Sequence, residues 1–546
     1  MTSHPEKLAI LAGGSDDNIT RDTGGSGSQP DDGGLSLTTG ELMALGGDAR
    51  ITLDEQSGLN SYGCAPKPMP AISYASSTAS TVSAGAFAQA RAFHFQLHQA
   101  SRSRAIADVY ADALEDARRR LRLLYQLDSS VDIAFGPSGT DLEYLVLATA
   151  LGGGSPICNI IVEVDEVGSG CLHAQQGRYF APHTALGLAV DTGQPVPGFD
   201  QRQIRLETVK VRNQDGGLRD VNEREAALAD VIAGAIAAGE RPLLHVVHRS
   251  KTGLIAPSPQ VLERLVGRFG DKLDVIVDAC QGRISPEMLG AYLALDAIVF
   301  VTGSKFIGGP PFSAFALVPA RIGARMSGTA PVPEGLGGFF ARGEMPAGWR
   351  AMDSVLPQVT NFGLLLRLEC GLFELSRLLA YPKEVVSKAI AAFDSVLRNL
   401  PADGPLELLP ERDRANEEEL QPLDRTMLHT FRIPLRHPET GHPLDIEDAR
   451  AIYAMLYTDM SEHFSEPWER MIAAETCHVG QPVRCARGEG GAWTATLRLS
   501  LSAPQISEVA GLDEDALLRR FRTDIDWISA KILLVLPLLR QRREAA

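Results

Sequence analysis

Leu273–Pro319 reads LDVIVDACQGRISPEMLGAYLALDAIVFVTGSKFIGGPPFSAFALVP. Two apolar runs inside it, Asp274 to Val277 and Ala297 to Val301, are short and rich in β-branched residues, the pattern of strands buried on both faces. The first runs into Asp278-Ala-Cys-Gln281 and the second into Thr302-Gly-Ser304-Lys305. An acid, an amide, two hydroxyls and an amine therefore sit at strand ends, where loops on a rigid scaffold place chemistry. A lone lysine after a strand is ordinarily a solvated charge; two such motifs in sequence demand another account. The final GGPPFSAFALVP predicts a turn and an antiparallel edge strand.

The chain has 546 residues, 44% hydrophobic and 22% charged, enough for two or three domains with substantial cores. Lys plus Arg (52) against Asp plus Glu (68) gives a net charge of -16, which argues against nonspecific binding to nucleic acid or an anionic membrane. Seven cysteines form no CxxC pair, so a reducing, cytoplasmic compartment is expected. The N-terminal residues lack an apolar run of signal-peptide length, and Ile532–Leu539 is too short to span a bilayer. There is no metal-ligand cluster and no GxxxxGK[ST] loop.

Residues 1–48, rich in Gly, Ser and Asp, predict a flexible segment, and 49–80, rich in Pro and Ser but carrying Leu59, Tyr62 and Tyr74, an extended arm. Between Ala84 and Tyr125 apolar residues recur at helical spacing, as Ile106, Val109, Tyr110 and Leu114 do. His94 and His98 lie four apart without the glutamate of HExxH, so a structural or exposed pair is expected rather than a zinc site. The run VDIAF (Val131 to Phe135) enters a Gly-Pro-Ser138-Gly139-Thr140 turn and then an apolar helix. That turn puts Ser138, Gly139 and Thr140 at a helix N-terminus, where unpaired N–H groups and the helix dipole attract a phosphate. Further strands follow at Asn159–Val164, Arg205–Arg212 and Leu243–Val247, and a helix at Val221–Ala238. The expected large domain covers 81–320, a Gly- and Pro-rich linker 321–360, and a smaller α+β domain 361–546, with Arg498 on one of its strands.

Asp278-x-x-Gln281 after one strand and Thr302-x-x-Lys305 after the next resemble the fold-type I enzymes that use pyridoxal 5'-phosphate (PLP), in particular the class V aminotransferase and cysteine desulfurase branch. The resemblance implies an α/β fold of the PLP-dependent transferase-like type, with a large, mainly parallel sheet flanked by helices. It implies Lys305 as the Schiff-base lysine, Asp278 on the ring nitrogen, and Ser138, Gly139, Thr140, Thr302 and Ser304 around the cofactor phosphate. Ser250 and Gln281 are implied at the ring oxygen, and Arg498, in an Arg-x-Ser, on the substrate α-carboxylate. Relatives carry a His or aromatic over the ring after the strand at Asn159–Val164, where this chain has Glu166-Val-Gly168; His173 is the first candidate for that place. The arm is implied near the active-site mouth, with Ser76, Ser77 and Thr78 on the substrate side.

A homodimer is implied, with the turn after Lys305 reaching the neighbour's phosphate, and a small-molecule substrate, an amino acid or amine. Amino-group transfer is the leading reaction. A β-elimination or desulfurase-type reaction is the alternative and calls for a cysteine shortly before the carboxylate arginine. Cys477 and Cys485 precede Arg498, although both read as buried or inert thiols. A non-catalytic structural or regulatory protein is the reading from another class; Lys305, Asp278 and the anion-binding turn count against it.

Overall fold

The computed structural model describes residues 33–75, 81–168, 170–214, 216–328, 331–409, 420–488 and 491–539. The helix α1 (Thr39–Met43) and strand β1 (Ile72–Tyr74) lead into two long helices, α2 (Ala84–Ser101) and α3 (Ile106–Leu124). The large domain alternates β2 (Asp132–Gly136), α4 (Gly139–Leu151), β3 (Ile157–Val162), α5 (Cys171–Ala174), β4 (Ile204–Val209), α6 (Val221–Ala237), β5 (Arg241–Val247) and α7 (Pro259–Phe269). It continues with β6 (Asp274–Asp278), α8 (Pro286–Ala294), β7 (Ile298–Thr302), β8 (Ala314–Val318) and α9 (Ala320–Gly323). Beyond them lie α10 (Phe362–Leu379), α11 (Lys383–Arg398), β9 (Glu407–Leu408), β10 (Leu428–Arg432), α12 (Ile446–Leu456), α13 (Pro467–Ala474), β11 (Cys477–Val479), β12 (Thr496–Ser500), α14 (Ala503–Val509) and α15 (Glu514–Val535).

The main sheet has seven strands in the order β2-β8-β7-β6-β5-β3-β4. Its strands run parallel except β8, which is antiparallel to both β7 and β2. Adjacent residues of one strand serve opposite cores: Val275 and Val277 join one apolar cluster and Ile276 the other, as do Val299 and Val301 against Ile298 and Phe300. Helix-covered faces on both sides explain why these strands read as unbroken apolar runs. A three-stranded antiparallel sheet, β12-β10-β9, forms a smaller α+β unit with α11, α12 and α15. The architecture is thus α/β with a large, mainly parallel sheet and a smaller α+β part, consistent with fold type I. Among the described residues no helix is long and apolar enough to cross a membrane.

Three expectations change. First, β8 is antiparallel as expected but lies inside the sheet, between β2 and β7, and is fully buried; the edges are β2 and β4. Its apolar residues on both faces, Ala314 and Phe315 alike, suit an interior strand. Second, residues 33–48 do not behave as a loose segment: Thr38 and Glu41 form a capping box on α1, and Leu35, Leu42 and Met43 are buried. His94 joins this anchoring, with Nδ1 3.0 Å from Thr39 Oγ1 and Nε2 3.1 Å from Leu35 O. Third, 321–360 is more than a linker, because Leu336, Phe339, Phe340 and Trp349 pack into the core beside Tyr144 of α4. Helix α10 likewise packs on α1, α2 and α3. Residues 1–32 and Ser76, Ser77 and Thr78 lie outside the described residues. The rest of the arm docks through β1, which pairs with β11, and through Tyr74, whose hydroxyl donates to Asp524 Oδ2 at 2.7 Å.

Arg367 of α10 holds the N-terminal segment in place. It is 1% exposed, and its guanidinium donates to the carbonyls of Phe312 (2.8 Å), Met43 (2.7 Å), Leu45 (2.5 Å) and Gly46 (2.7 Å). Arg367→Ala removes the guanidinium donors of four carbonyls and is expected to cost roughly 3–5 kcal/mol in urea unfolding, with early proteolysis between residues 33 and 48. Equal stability of the two proteins would refute this role.

Candidate active site

Strands β2, β6 and β7 point the same way, so the turns that follow them meet at one edge of the sheet. The meeting is close. A Cβ on Gly139 would lie 2.4 Å from Cys280 Sγ and 3.8 Å from Thr302 Cγ2, so glycine is required where α4 touches the other two turns. Those turns are bonded to one another: Thr302 Oγ1 donates to Cys280 O (2.7 Å), Ala279 N to Phe300 O (3.0 Å) and Phe306 N to Gln281 O (3.1 Å). Asp278 Oδ1 accepts from Cys280 N at 2.9 Å, and Ser304 Oγ lies 3.4 Å from Thr302 Oγ1. The Cys280 thiol is pushed well up by burial, with the Asp278 charge adding and the Lys305 charge opposing, which puts both groups around one sulfur.

Helix α4 begins at this junction. Ser138 caps it, its Oγ accepting from Asp141 N at 3.3 Å and donating to the Asp141 carboxylate. The N–H groups of Gly139 and Thr140, in the first turn, have no intrahelical acceptor. Burial raises the Asp141 carboxyl to about 7, with Asp48 adding and Arg50 opposing. Arg50, at the base of the arm, lies over the rings of Phe312 (4.8 Å) and Phe180 (5.2 Å). The start of the arm therefore sits beside the α4 N-terminus. Below Asp278, Glu143 accepts from Gln175 Nε2 (3.0 Å) and lies 3.4 Å from His245 Nδ1. Burial raises the Glu143 carboxyl and lowers the His245 imidazole to about 3, so this is a neutral contact rather than an ion pair.

Ser250 is near the site but committed: its Oγ donates to Glu166 Oε2 at 2.6 Å and accepts from Leu254 N at 3.2 Å. Glu166 also takes Arg212 Nη2 (2.5 Å) and Thr252 Oγ1 (2.8 Å). Gln281 Oε1 accepts from Arg283 Nη1 at 3.0 Å. Arg498 projects from β12 with Nε on Gln481 O and Nη1 on Lys251 O, both at 2.8 Å. Burial, the largest influence, lowers its guanidinium to about 10. His173 is not brought to this cluster by any described contact: its Cε1 faces Gly193, 3.8 Å from where a Cβ would stand, and its Nδ1 is buried without a partner.

Cys171 of the same short helix lies beside Thr140, Sγ to Oγ1 3.8 Å. Burial pushes its thiol up to about 12, with Glu143 and Asp278 adding. Sequence reasoning did not single out Cys171 or Arg283, which lie beside Thr140 and Gln281, and met Glu166 only as a departure from the relatives. The available signal for Glu166 was an acid directly after a buried strand; for Arg283 it was an arginine two residues past Gln281.

Searches of family models found no match. None of the curated proteins matches either. Solved structures do show a likeness. Mouse CSAD aligns over 96% of this chain and 92% of its own at 14% identity, TM-score 0.48. A NifS-like protein aligns over 84% and 100% at 13% identity, TM-score 0.48. The Oryza sativa TDC, a structure with PLP, aligns over 83% and 82% at 14% identity, TM-score 0.45. At such identities and scores they assign no activity to this chain.

Burial opposes the charge of Glu166, but Arg212 and the hydroxyls of Ser250 and Thr252 outweigh it and hold the carboxyl below the usual range. A depressed folded pKa contributes stability that is present above the unfolded value and lost as pH falls through the folded one. Glu166→Gln is therefore expected to destabilise at neutral pH, with the gap to wild type closing below about pH 4. Urea unfolding at several pH values reads this directly, and a pH-independent gap would contradict it.

Proposed function

We propose that this chain is a PLP-dependent enzyme that uses Lys305 to act on an amino acid or related amine, with amino-group transfer as its reaction. The observation that carries this reading is the junction where Gly139, Cys280 and Thr302 touch, because it joins an anion-binding helix terminus to the turns bearing Asp278 and Lys305. The residues present fit the group: an amine, a carboxylate, a free helix N-terminus with flanking hydroxyls, an amide and a guanidinium. Bound PLP supplies an electron sink for a bond broken at the substrate's α-carbon.

The chain's own residues divide the remaining work. The N–H groups of Gly139 and Thr140, with the hydroxyls of Thr140, Thr302 and Ser304, receive the phosphate; Ser138 contributes by capping the helix. Asp278 holds a proton on the ring nitrogen, with Cys280 N fixing one carboxylate oxygen. Arg283 occupies Gln281 Oε1, which would leave the amide hydrogens of Gln281 for the ring oxygen. Ser250 supports the site through Glu166. Cys171, beside Thr140, would stand nearer the bound group than His173, which no described contact brings to the junction. The Lys305 amine anchors the cofactor and moves the α-proton, and Arg498 grips the α-carboxylate. The working unit is a homodimer, which sedimentation would test.

The test is the visible spectrum of the PLP-loaded protein before and after borohydride, beside Lys305→Ala. A yellow band in wild type, fixed by borohydride as an adduct that maps to Lys305, is expected; its absence sinks the proposal. A second reading, β-elimination or desulfurase-type chemistry, is favoured by one observation: the segment leading to Cys485 runs beside Arg498, with Gly480 bridged to it and Gln481 O accepting from its Nε at 2.8 Å. Burial raises the Cys485 thiol to about 11, against a role as a resting thiolate. Under amino-group transfer Cys485→Ser leaves keto-acid formation intact; loss of sulfide release from cysteine in that variant would favour the second reading.

A further inference from the structure

The connection from β12 to α14 presses on the turns that follow β6 and β7, and residues 500–504 make three contacts there. Ala503 N donates to the carbonyl of Phe306, next to Lys305, at 2.7 Å. A Cβ on Gly308, where φ is +84°, would lie 2.4 Å from Pro504 Cγ. The Ser500 hydroxyl gives its hydrogen to Leu501 O at 3.1 Å and accepts from Arg283 Nη2.

Arg283 carries the third contact onward. Its Nη1 donates to Gln281 Oε1 at 3.0 Å, its guanidinium carbon lies 5.7 Å from the centre of the Phe306 ring, and its carbonyl accepts from His248 Nε2 at 3.2 Å. The backbone at 283 is thus pinned from a second side, since His248 Nδ1 lies 3.0 Å from Tyr292 Oη. Arg283 is 1% exposed, its Nε is buried without a partner, and the two side-chain oxygens it donates to are neutral. Burial, with Arg498 and Arg249 adding, lowers the guanidinium to about 9. A charge held in this way is costly where an apolar side chain of similar volume would pack. What the guanidinium supplies is a flat fork that reaches two acceptors at a fixed separation. One acceptor, Ser500, lies two residues from Arg498 on the same face of β12. The other is the amide that the PLP reading puts at the ring oxygen.

We propose that Arg283 is a positioning residue that ties β12, the strand carrying Arg498, to Gln281 and so fixes which end of the Gln281 amide faces the site. This deepens the PLP reading and rests on it for what the amide meets. With Arg283 on its oxygen, Gln281 presents its two amide hydrogens and favours a ligand atom that accepts. Without Arg283 the amide is free to turn over and present its oxygen instead. Ser500 takes part through a lone pair alone, because its hydrogen is spent on Leu501.

Two measurements test it. In apo protein, Ser500→Ala removes the β12 end of the bridge with no change of charge. Hydrogen exchange of the Gly282 and Phe306 amides is expected to rise about tenfold while that of β3 is unchanged. Exchange equal to wild type overturns the bridge. In PLP-loaded protein, spectral titration compares PLP with 3-deoxypyridoxal 5'-phosphate, which lacks the ring oxygen. Arg283→Met and Gln281→Ala are each expected to lower the preference for PLP about tenfold, and the double variant no further than Gln281→Ala alone, because both remove one interaction. Ser500→Ala should lower it in the same direction if Arg283→Met does not fold. A preference that Arg283→Met leaves unchanged, or losses that add in the double variant, overturn the positioning role. No band with PLP together with faster exchange in Ser500→Ala sinks the cofactor reading and leaves the bridge standing. A normal band with unchanged exchange does the reverse.

Discussion

The contact between Gly139 and Cys280 is the constraint on which the site depends. Three turns from three strands converge there, and the space between them is smaller than one methyl group. Everything chemically active nearby inherits its position from that approach: the N-terminus of α4, the Asp278 carboxylate and the turn that carries Lys305. Hydrogen bonds from Thr302 and Phe306 lock the second and third turns together, so the geometry does not rest on flexible side chains alone. Such rigidity is what a site needs when a shift of about 1 Å costs much of its activity.

Charge is managed differently on the two sides of this junction. Towards the sheet, burial works against charge: the Glu143 and Asp141 carboxyls are raised, and the His245 imidazole is lowered beside Glu143. Towards the smaller unit, burial acts on cations that cannot readily become neutral, Arg283 and Arg498. The acids therefore adapt to the fold, whereas the arginines are held by neutral oxygens of Gln281, Ser500, Gln481 and Lys251. Glu166 lies between these regimes. It remains charged because Arg212 comes from beyond β4 and Ser250 and Thr252 from beyond β5 to meet it.

The legibility of the sequence followed the range of the forces involved. Strands β5, β6 and β7 were readable because burial on both faces forces continuous apolar runs, and α4 because its cap and glycine are local. The outer limits of the helical stretch read from Ala84 to Tyr125 came close, since α2 starts at Ala84 and α3 ends at Leu124. The interior place of β8 was not readable, since strand order depends on contacts far apart in sequence. Residues 33–48 looked loose by composition, yet Arg367, more than three hundred residues later, supplies the donors that order them. The turns that carry Asp278, Gln281, Thr302 and Lys305 were read from spacing and do meet, while the approach of Cys171 to Thr140 and of Arg283 to Gln281 becomes visible only when the chain is folded. His173 shares its short helix with Cys171, and of the two only Cys171 has a described contact with the first turn of α4.

The pairing of β1 with β11 sets a condition on how this molecule is made. Ile72 pairs with Cys477, so a strand near the beginning of the chain waits for roughly four hundred residues to be synthesised before its partner exists. At about 5–20 residues per second that interval is tens of seconds, during which the arm has an open edge and Tyr74 lacks Asp524. The seven-stranded sheet can be complete earlier, because its last strand ends at Val318. The nascent chain therefore passes through a stage with its large domain assembled and its arm unplaced. Final closure comes only when the last third of the chain arrives to hold the arm down.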